Sequence, residues 1–573
     1  MNIIGYNCHI HDSAAALVKD GKLIAASEEE RLNRQKHYGG FPVNAIKFVL
    51  DFSKLKISDI DYVAFYWKPF LGLHRRIYWV LRYPTYFRKL FFSEEIGHAK
   101  RGGTISTWLK HLLAPYEFKK IFPDFRGKFV FVPHHFAHAA SAFFVSPFKK
   151  SAILSIDYSG EWVSTFLGYG VDNKIFKIFE VGWPHSLGYF YTAVTQYLGF
   201  GVVGDEYKVM GLSAYGSKNS KISEKFKMLI YPDTKNLFRL NLKYFGLHRG
   251  LDTWYSPEFE KLFGPARKKG EKITQYHADI AYGLQRRYEE IFFHIAKYLK
   301  EKTNCENLSL AGGCGLNSVA NGLLLKYGIF KEIFVQPAAN DAGCSLGAAF
   351  YLYNHILNNK RKFIFTHSYW GPEFNNSDYE EAIKKFGLKY KVSKNIAKET
   401  AELIANKKIV GFFQGRMEWG PRALGNRSIL ADPRDKKMKD RVNIKVKHRE
   451  EFRPFAPSIL EEWTSEYFDY NYPCEFMLFV YNVTKPEKIP AVTHVDGTGR
   501  LQTVNKIKNP LYWNVINEFR KITKIPVVLN TSFNDKDEPI VCSPEDALRT
   551  FMKTGIDYVV MGNYIVSKKK KGF

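Results

Sequence analysis

Paired cysteines, long apolar runs and acidic residues are all scarce in this sequence, and each scarcity excludes something. The six cysteines (Cys8, Cys305, Cys314, Cys344, Cys474 and Cys542) are scattered with no C-x-x-C pair. That argues against a disulfide frame or a zinc ribbon and fits reduced thiols. No stretch reaches about 18 uninterrupted apolar residues, so a membrane-spanning helix is not expected. The opening MNIIGYNCHIHDSAAALV lacks the charged-then-apolar order of a signal peptide, and a cytoplasmic location is expected. Asp and Glu number 57 against 84 Lys and Arg, a formal charge of +27. Taken alone, that excess favours nucleic acid, an anionic membrane surface or phosphorylated small molecules as partners. A plain lysine bias, as in the tail SKKKKGF, accounts for it equally well.

What is present describes a globular protein: 45% hydrophobic, 25% charged and 16% aromatic residues, enough for a large packed interior. At 573 residues the chain exceeds what one core serves, and two or more domains are expected. One pattern recurs. Residues 2–30 (NIIGYNCHIHDSAAALVKDGKLIAASEEE) read strand, polar loop, strand, Asp-Gly turn, strand. Residues 151–182 (SAILSIDYSGEWVSTFLGYGVDNKIFKIFEVG) repeat that order around Asp157 and an Asp-Asn turn. Each turn between strand-like runs is a hairpin signal. Two copies of one unit predict a duplicated α/β domain with a ligand cleft between its halves. A boundary falls in the polar, basic and turn-rich stretch 361–375, which predicts domains over 1–360 and 376–573. The segment 66–92 is basic and aromatic, and reads either as a packed aromatic insertion or as a surface that lies on a membrane.

The stretch HHFAHAASAFF places His134 and His138 four apart at the start of a small-residue helix. That spacing puts both imidazoles on one face, about 5.4 Å apart along the axis and within reach of one metal ion. His135 points elsewhere and has no assigned role. Asp157, read as ending a buried strand, and Asp341, opening a helix in PAANDAGCSLGAA, are the carboxylates best placed to join them. Two histidines with carboxylates and no thiolate suit Fe(II), Mn or Zn. In SLAGGCGLNSVANGLLL, Gly312, Gly313 and Asn317 form a strand–turn–helix junction whose backbone N–H groups could meet nucleotide oxygens, a geometry any tight junction shares. His11 beside Asp12 is a candidate base with its orienting carboxylate. Read as part of a strand, however, the two would point to opposite faces. The G-x-G-x-x-G match at Gly199, Gly201 and Gly204 is refused, because a helix-like YFYTAVTQYL precedes it where a strand is required. GLSAYGSK is refused as a phosphate loop because Ser217 and Lys218 stand in the wrong order.

From Arg416 to Arg453 there are twelve Lys and Arg against six Asp and Glu. Arg416, Arg422, Arg427, Lys447, Arg449 and Arg453 alternate with Trp419, Pro421, Phe452, Pro454 and Phe455. Half-buried cations are costly unless an anion neutralises them, and arginine forks fit phosphate or carboxylate oxygens. Arg500 on a turn, and Asn530 and Ser532 at a strand end, complete what reads as a pocket for a small phosphorylated ligand.

With HDSAAALV, EEERLNRQKHYGGFP, HHFAHAASAF, EYKVMGLSAYG, QPAANDAGCSLGAA, QGRMEWGPRALGNRSILADPR, REEFRPFAPSIL, HVDGTGRLQT and NTSFN in this order, the sequence resembles the O-carbamoyltransferases of nodulation-factor and tobramycin biosynthesis. The resemblance implies an N-terminal actin/sugar-kinase-like domain, similar to the metal enzyme of threonylcarbamoyl-tRNA synthesis, followed by a YrdC-like α/β domain. It implies that carbamoyl phosphate and ATP, the latter with Mg, form carbamoyl-adenylate in the second domain. The carbamoyl group then passes to an acceptor hydroxyl at the first. By the same resemblance His134, His138, Asp157 and Asp341 hold an ion, iron foremost. His11 lies beside the carbamoyl group, as base or orienting donor. Lys447, Arg449, Arg453, Arg500, Asn530 and Ser532 bind carbamoyl phosphate and nucleotide phosphates, with Arg422 nearby. One departure is Tyr158, where members of the family carry glycine after the ligating aspartate; it bears on the phosphate loop or on the acceptor pocket. The other readings are carbamoylation of a tRNA or protein acceptor, and a non-catalytic nucleotide- or nucleic-acid-binding protein of the same fold. With small molecules as the expected partners, nucleic acid is not one. The acceptor and the oligomeric state are not legible.

Overall fold

In a computed structural model, which describes residues 1–83, 95–96, 99–100, 105–218 and 221–568, the chain divides into two compact units. The first comprises Met1–Glu30, His37–Ala320 and Tyr327–Phe365; the second comprises Arg31–Lys36, Asn321–Lys326 and Thr366–Phe573.

The first unit contains the duplication. Its first sheet is built from β1 (Asn2–Asn7), β2 (Ala14–Lys19), β3 (Lys22–Glu28), β4 (Tyr62–Phe65) and β5 (Lys128–Phe131), in the order β3-β2-β1-β4-β5. Its second is built from β6 (Lys150–Gly160), β7 (Val163–Val171), β8 (Lys174–Gly182), β9 (Asn307–Ala311) and β10 (Glu332–Val335), in the order β8-β7-β6-β9-β10. Each sheet has two antiparallel hairpin pairings on one side of its first strand and two parallel pairings on the other. The predicted hairpins form at both turns. Because β1 and β6 are buried on both faces, they read as near-continuous apolar runs rather than alternating ones.

A helix follows the last strand of each sheet: His134–Phe143 after β5, and Ala342–Phe350 after β10. Helix His134–Phe143 packs on β6 and β9 of the other half, helix Ala342–Phe350 packs on β1 and β2, and the two helices pack on each other. Helices covered on most sides favour small residues: the first carries four alanines and a serine, the second three alanines, two glycines and a serine. At Gly347 the approach is closest. A Cβ there would meet the Ala137 carbonyl oxygen and stand 2.7 Å from its carbon. The duplication thus brings two equivalent helix starts together; His134, His138 and Asp341 sit on them, and Asp157 joins them from β6.

The second unit is a mixed sheet of eight strands: β11 (Lys389–Val392), β12 (Val410–Phe413), β13 (Arg427–Ala431), β14 (Ala456–Leu460), β15 (Gln502–Val504), β16 (Val527–Ser532), β17 (Tyr558–Met561) and β18 (Tyr564–Ser567), in the order β11-β18-β17-β12-β13-β16-β14-β15. Helices Ile396–Ala405 and Pro510–Thr523, which pack on each other, and Pro544–Lys553 bury apolar faces against it.

The helix that ruled out the G-x-G-x-x-G match is present, as Leu187–Tyr197, and helix Glu206–Ser213 runs into the GLSAYGSK stretch. In the aromatic segment, Trp79 of helix Leu73–Arg82 stacks on Tyr83 at 5.1 Å and meets Trp183 at 5.6 Å, while Ile77, Tyr78 and Leu81 are exposed. Its residues 84–92, and 569–573 of the lysine tail, lie outside the described residues. Among the described residues no helix is long and apolar enough to cross a membrane.

Candidate metal centre and cation cluster

In the first unit the four ligands expected from the sequence converge. His134 Nε2 stands 3.4 Å from Asp157 Oδ2 and 3.9 Å from Asp341 Oδ1; His138 Nε2 stands 3.5 and 3.6 Å from the same two atoms. Donors held tetrahedrally by one first-row ion at about 2.0–2.2 Å stand about 3.4 Å apart. The spacing therefore fits a shared ion. His138 is fully buried, and its Nε2 has no hydrogen-bond partner, which in an interior without a ligand would be an uncompensated polar atom. Burial opposes charge on His138, but Cys344, Asp157 and Asp341 beside it hold its pKa well above the usual histidine value. Burial likewise pushes the Asp157 carboxyl up, and the imidazoles of His134 and His138 beside it outweigh burial and hold it well below the usual range. Cys344, one turn beyond Asp341, brings its sulfur into the same cluster: donor atoms of His134, His138, Asp341 and Cys344 all lie within 4.8 Å of one another.

The supports are specific. The edges of Tyr66 and Trp67 hold the His134 ring, with centroids at 5.4 and 5.3 Å. Glu161 accepts the His134 backbone N–H at 3.1 Å and that of Lys68 on its other oxygen. Asp341 is the N-terminal cap residue of its helix, as expected. Asp157 differs from expectation. Its strand continues to Gly160, through a register shift after Ile156 that turns Asp157 towards the histidines. Tyr158 packs on Trp254 (4.9 Å) and Tyr189 (6.1 Å), so its ring belongs to an aromatic wall beside Asp157. His135 is held by Ser155 Oγ at 3.0 Å and the Val163 carbonyl at 2.9 Å. Burial beside His134 and His138 pushes its pKa down to about 3, and its role is structural.

His11 and Asp12 are not on a strand. They lie in the loop between β1 and β2, where Asp12 takes φ = 51°, and so they face each other: His11 Nδ1 is 3.1 Å from Asp12 Oδ2. The sequence reading that would separate them fails because it assumed extended backbone. Asp12 is gripped further by His37 Nδ1 at 2.8 Å and by Asn340 Nδ2 at 2.9 Å. Burial opposes charge on His11, but Asp341, Asp12 and Asp157 raise its pKa to about 10. At neutral pH it is a hydrogen-bond donor. His37 is the residue sequence reasoning missed here, though it stands in the quoted motif RQKHYGGFP.

Gly312 takes φ = 86°, and a Cβ there would come within 2.6 Å of the Ile156 carbonyl carbon, so the turn requires glycine. Gly313 N–H donates to Asp157 Oδ1 at 3.3 Å, tying this turn to the candidate metal centre. Asn317 instead exchanges two 3.1 Å hydrogen bonds with Gln285 and accepts from the Ala320 N–H, which makes it a helix cap.

In the second unit Lys447, Arg422, Arg449, Arg453 and Arg500 gather. Burial, then Arg449 and Arg453, hold the Lys447 ammonium well below its usual pKa. Burial, then Arg422, Arg449 and Arg453, do the same to Arg500. Lys447 Nζ donates to the Ser532 carbonyl, to Ser532 Oγ at 3.1 Å and to Asn534 Oδ1 at 2.6 Å. Arg449 donates to Asn443 Oδ1 at 2.7 Å and lies over the Phe455 ring at 4.6 Å. Arg500 Nε is buried without a partner. Cations that depress one another in this way fit a bound polyanion. Asn530 is buried, and its Nδ2 donates to Ser458 Oγ (3.1 Å) and Gln502 Oε1 (2.9 Å), which commits its amide nitrogen to the sheet.

Two arginines counted with this cluster have other work. Arg427 is fully buried and donates to the carbonyls of Gln414, Gly415, Asn426 and Pro372. Arg416 donates to those of Gly371 and Trp370. Glu418, which sequence reasoning passed over, accepts the N–H groups of Leu424 (2.8 Å), Asn426 (2.7 Å) and Arg427 (3.1 Å), and so shapes the loop that carries Arg422.

Comparison with known proteins agrees with this architecture. The family model for the carbamoyltransferase N-terminus matches residues 2–350, and that for the carbamoyltransferase C-terminus matches residues 401–568. Nodulation protein NolNO of Sinorhizobium fredii is 40% identical over 98% of this chain and 80% of its own. Nodulation protein NolO of Bradyrhizobium diazoefficiens is 42% identical over 76% of this chain and 79% of its own. An uncharacterized protein of Synechocystis is 39% identical over 99% and 97%. With both family models matched in order along one chain, the protein is a transferase and belongs to the carbamoyltransferase family.

Proposed function

We propose that the protein is an ATP-dependent O-carbamoyltransferase acting on a hydroxyl of a sugar, glycoside or other natural product. On this reading the first unit is of the actin/sugar-kinase type and the second is YrdC-like. The observation that carries it is the convergence of His134, His138, Asp157 and Asp341 in a family defined by carbamoyl transfer. The repeated strand order of the first unit supports it further.

The reaction has two stages. In the first, carbamoyl phosphate, ATP and one water give carbamoyl-adenylate, phosphate and pyrophosphate. Lys447, Arg449, Arg453 and Arg500, with Arg422, bind the anionic oxygens of both substrates, and Mg accompanies the nucleotide. Ser532 Oγ and Asn534 hold the Lys447 ammonium in place. In the second, an acceptor hydroxyl attacks the carbamoyl carbon, its proton is lost and AMP leaves. His134, His138, Asp157 and Asp341 would hold Fe(II), or Mn or Zn, which would supply Lewis-acid neutralisation of the phosphate. The Gly313 N–H, which donates to Asp157 Oδ1, orients that carboxylate. Asp12 fixes His11 through Nδ1, leaving Nε2 to donate to the carbamoyl oxygen, where negative charge grows in the transition state.

Two variants separate the stages. Arg449→Ala is expected to abolish pyrophosphate release. His138→Ala is expected to keep it and to block transfer. Loss of both stages in both variants overturns this division of labour.

A further inference from the structure

Resting on the metal-centre reading above, we infer that Cys344 is a thiolate ligand of that centre, joining His134, His138, Asp157 and Asp341 in a mixed nitrogen, oxygen and sulfur site. Sequence reasoning assigned the centre no sulfur. Four observations place it there.

Donor atoms of His134, His138, Asp341 and Cys344 lie within 4.8 Å of one another, and these residues are all buried. The spacing repeats on both helices: His134 and His138 are one turn apart, and so are Asp341 and Cys344, three positions that share a face. The two helices are pressed together where Gly347 meets Ala137, close enough for the short side chains of Asp341 and Cys344 to reach the imidazoles. Finally, the fully buried His138 Nε2, turned into this cluster, lacks a hydrogen-bond partner, as an atom reserved for an ion would. The competing account treats Cys344 as one more small apolar residue in a helix of alanines and glycines.

A thiolate changes what the site prefers. Carboxylate and imidazole alone accept Mn(II) and Fe(II) readily, whereas sulfur favours Zn(II), Co(II) and Fe(II) over Mn(II). As the metal–sulfur bond forms, the thiol proton leaves to solvent, and each ion bound displaces it.

The test uses the full-length protein stripped of metal with a chelator and titrated with Co(II) alone. One ion per chain and a near-ultraviolet sulfur-to-cobalt charge-transfer band are expected. Cys344→Ser and Cys344→Ala should lose that band, and their zinc affinity should fall by at least the ~10–100-fold that loss of even an outer partner brings. Cys314→Ser, whose thiol lies near Asp157, should keep the band. X-ray absorption of the zinc-loaded wild type needs no variant and should show one sulfur at about 2.3 Å beside the lighter donors. Cobalt bound with no charge-transfer band, a zinc spectrum with only nitrogen and oxygen, or a band lost in Cys314→Ser instead would overturn the assignment while leaving the metal centre standing. Failure to bind cobalt at all overturns both.

Discussion

Gly347→Ala is the substitution that asks most of the two-helix centre. The new methyl would overlap the Ala137 carbonyl oxygen, and it stands 2.7 Å from that carbonyl carbon and 3.0 Å from Ser141 Cβ, where ordinary contact begins at 3.4 Å. Backbone on one side and a packed helix on the other leave no flexible side chain to yield. The helices must part by several tenths of an ångström. Overpacking of this kind costs about 1–3 kcal/mol. It also separates His134 and His138 from Asp341 by more than the ~0.2 Å that metal–ligand distances tolerate. We expect the variant to unfold at lower urea, and to bind zinc or iron at least ~10-fold more weakly in competition with a chromophoric chelator. Gly315→Ala is the control, because its nearest neighbour would be 3.4 Å away. A Gly347→Ala protein with wild-type metal affinity would refute the claim that close helix approach builds the site.

Further outcomes follow from the same structure. The depressed pKa of Lys447 means the folded protein binds fewer protons than the unfolded chain between that value and the ordinary 10.5, so this group adds stability as pH rises through the window. An anion bound beside Lys447 reverses the shift, and inorganic phosphate should bind with proton uptake at alkaline pH, read as a calorimetric heat that changes with buffer ionisation enthalpy; buffer-independent heat contradicts it. Glu418→Ala strips three buried N–H groups of their acceptor, at about 1–3 kcal/mol each. It should destabilise the second unit and weaken carbamoyl phosphate binding, with partial rescue by Glu418→Gln, as followed by urea denaturation and calorimetry. Asp12→Asn should retain one metal ion per chain but slow carbamoyl transfer by about 10- to 100-fold through loss of His11 orientation; an unchanged rate counts against the His11 role.

How far the sequence could be read depended on whether a residue's role is local. The duplication was legible because hairpin turns and strand runs are local signals, and so was the His134–His138 pair, which needs only helical spacing. Asp157 and Asp341 were reachable as carboxylates at element ends, although the bulge that turns Asp157 inward was not. His11 and Asp12 were misread because a left-handed Asp12 leaves no mark in the sequence. Arg427 illustrates a different limit. Composition counts its charge with the anion binders, but its partners are carbonyls as distant as Pro372, which only tertiary structure supplies. Cys344 was hidden for the converse reason: among alanines and glycines a thiol reads as packing until the opposing helix is in place.

The central claim is that this chain itself makes carbamoyl-adenylate and then spends it on a hydroxyl. The most direct measurement is a single-turnover reaction of the metal-replete, anaerobic protein with ATP and carbon-labelled carbamoyl phosphate, with no acceptor present. The account predicts stoichiometric pyrophosphate and a labelled carbamoyl-adenylate recoverable on quenching. ATP left intact, with no labelled adenylate, would contradict it.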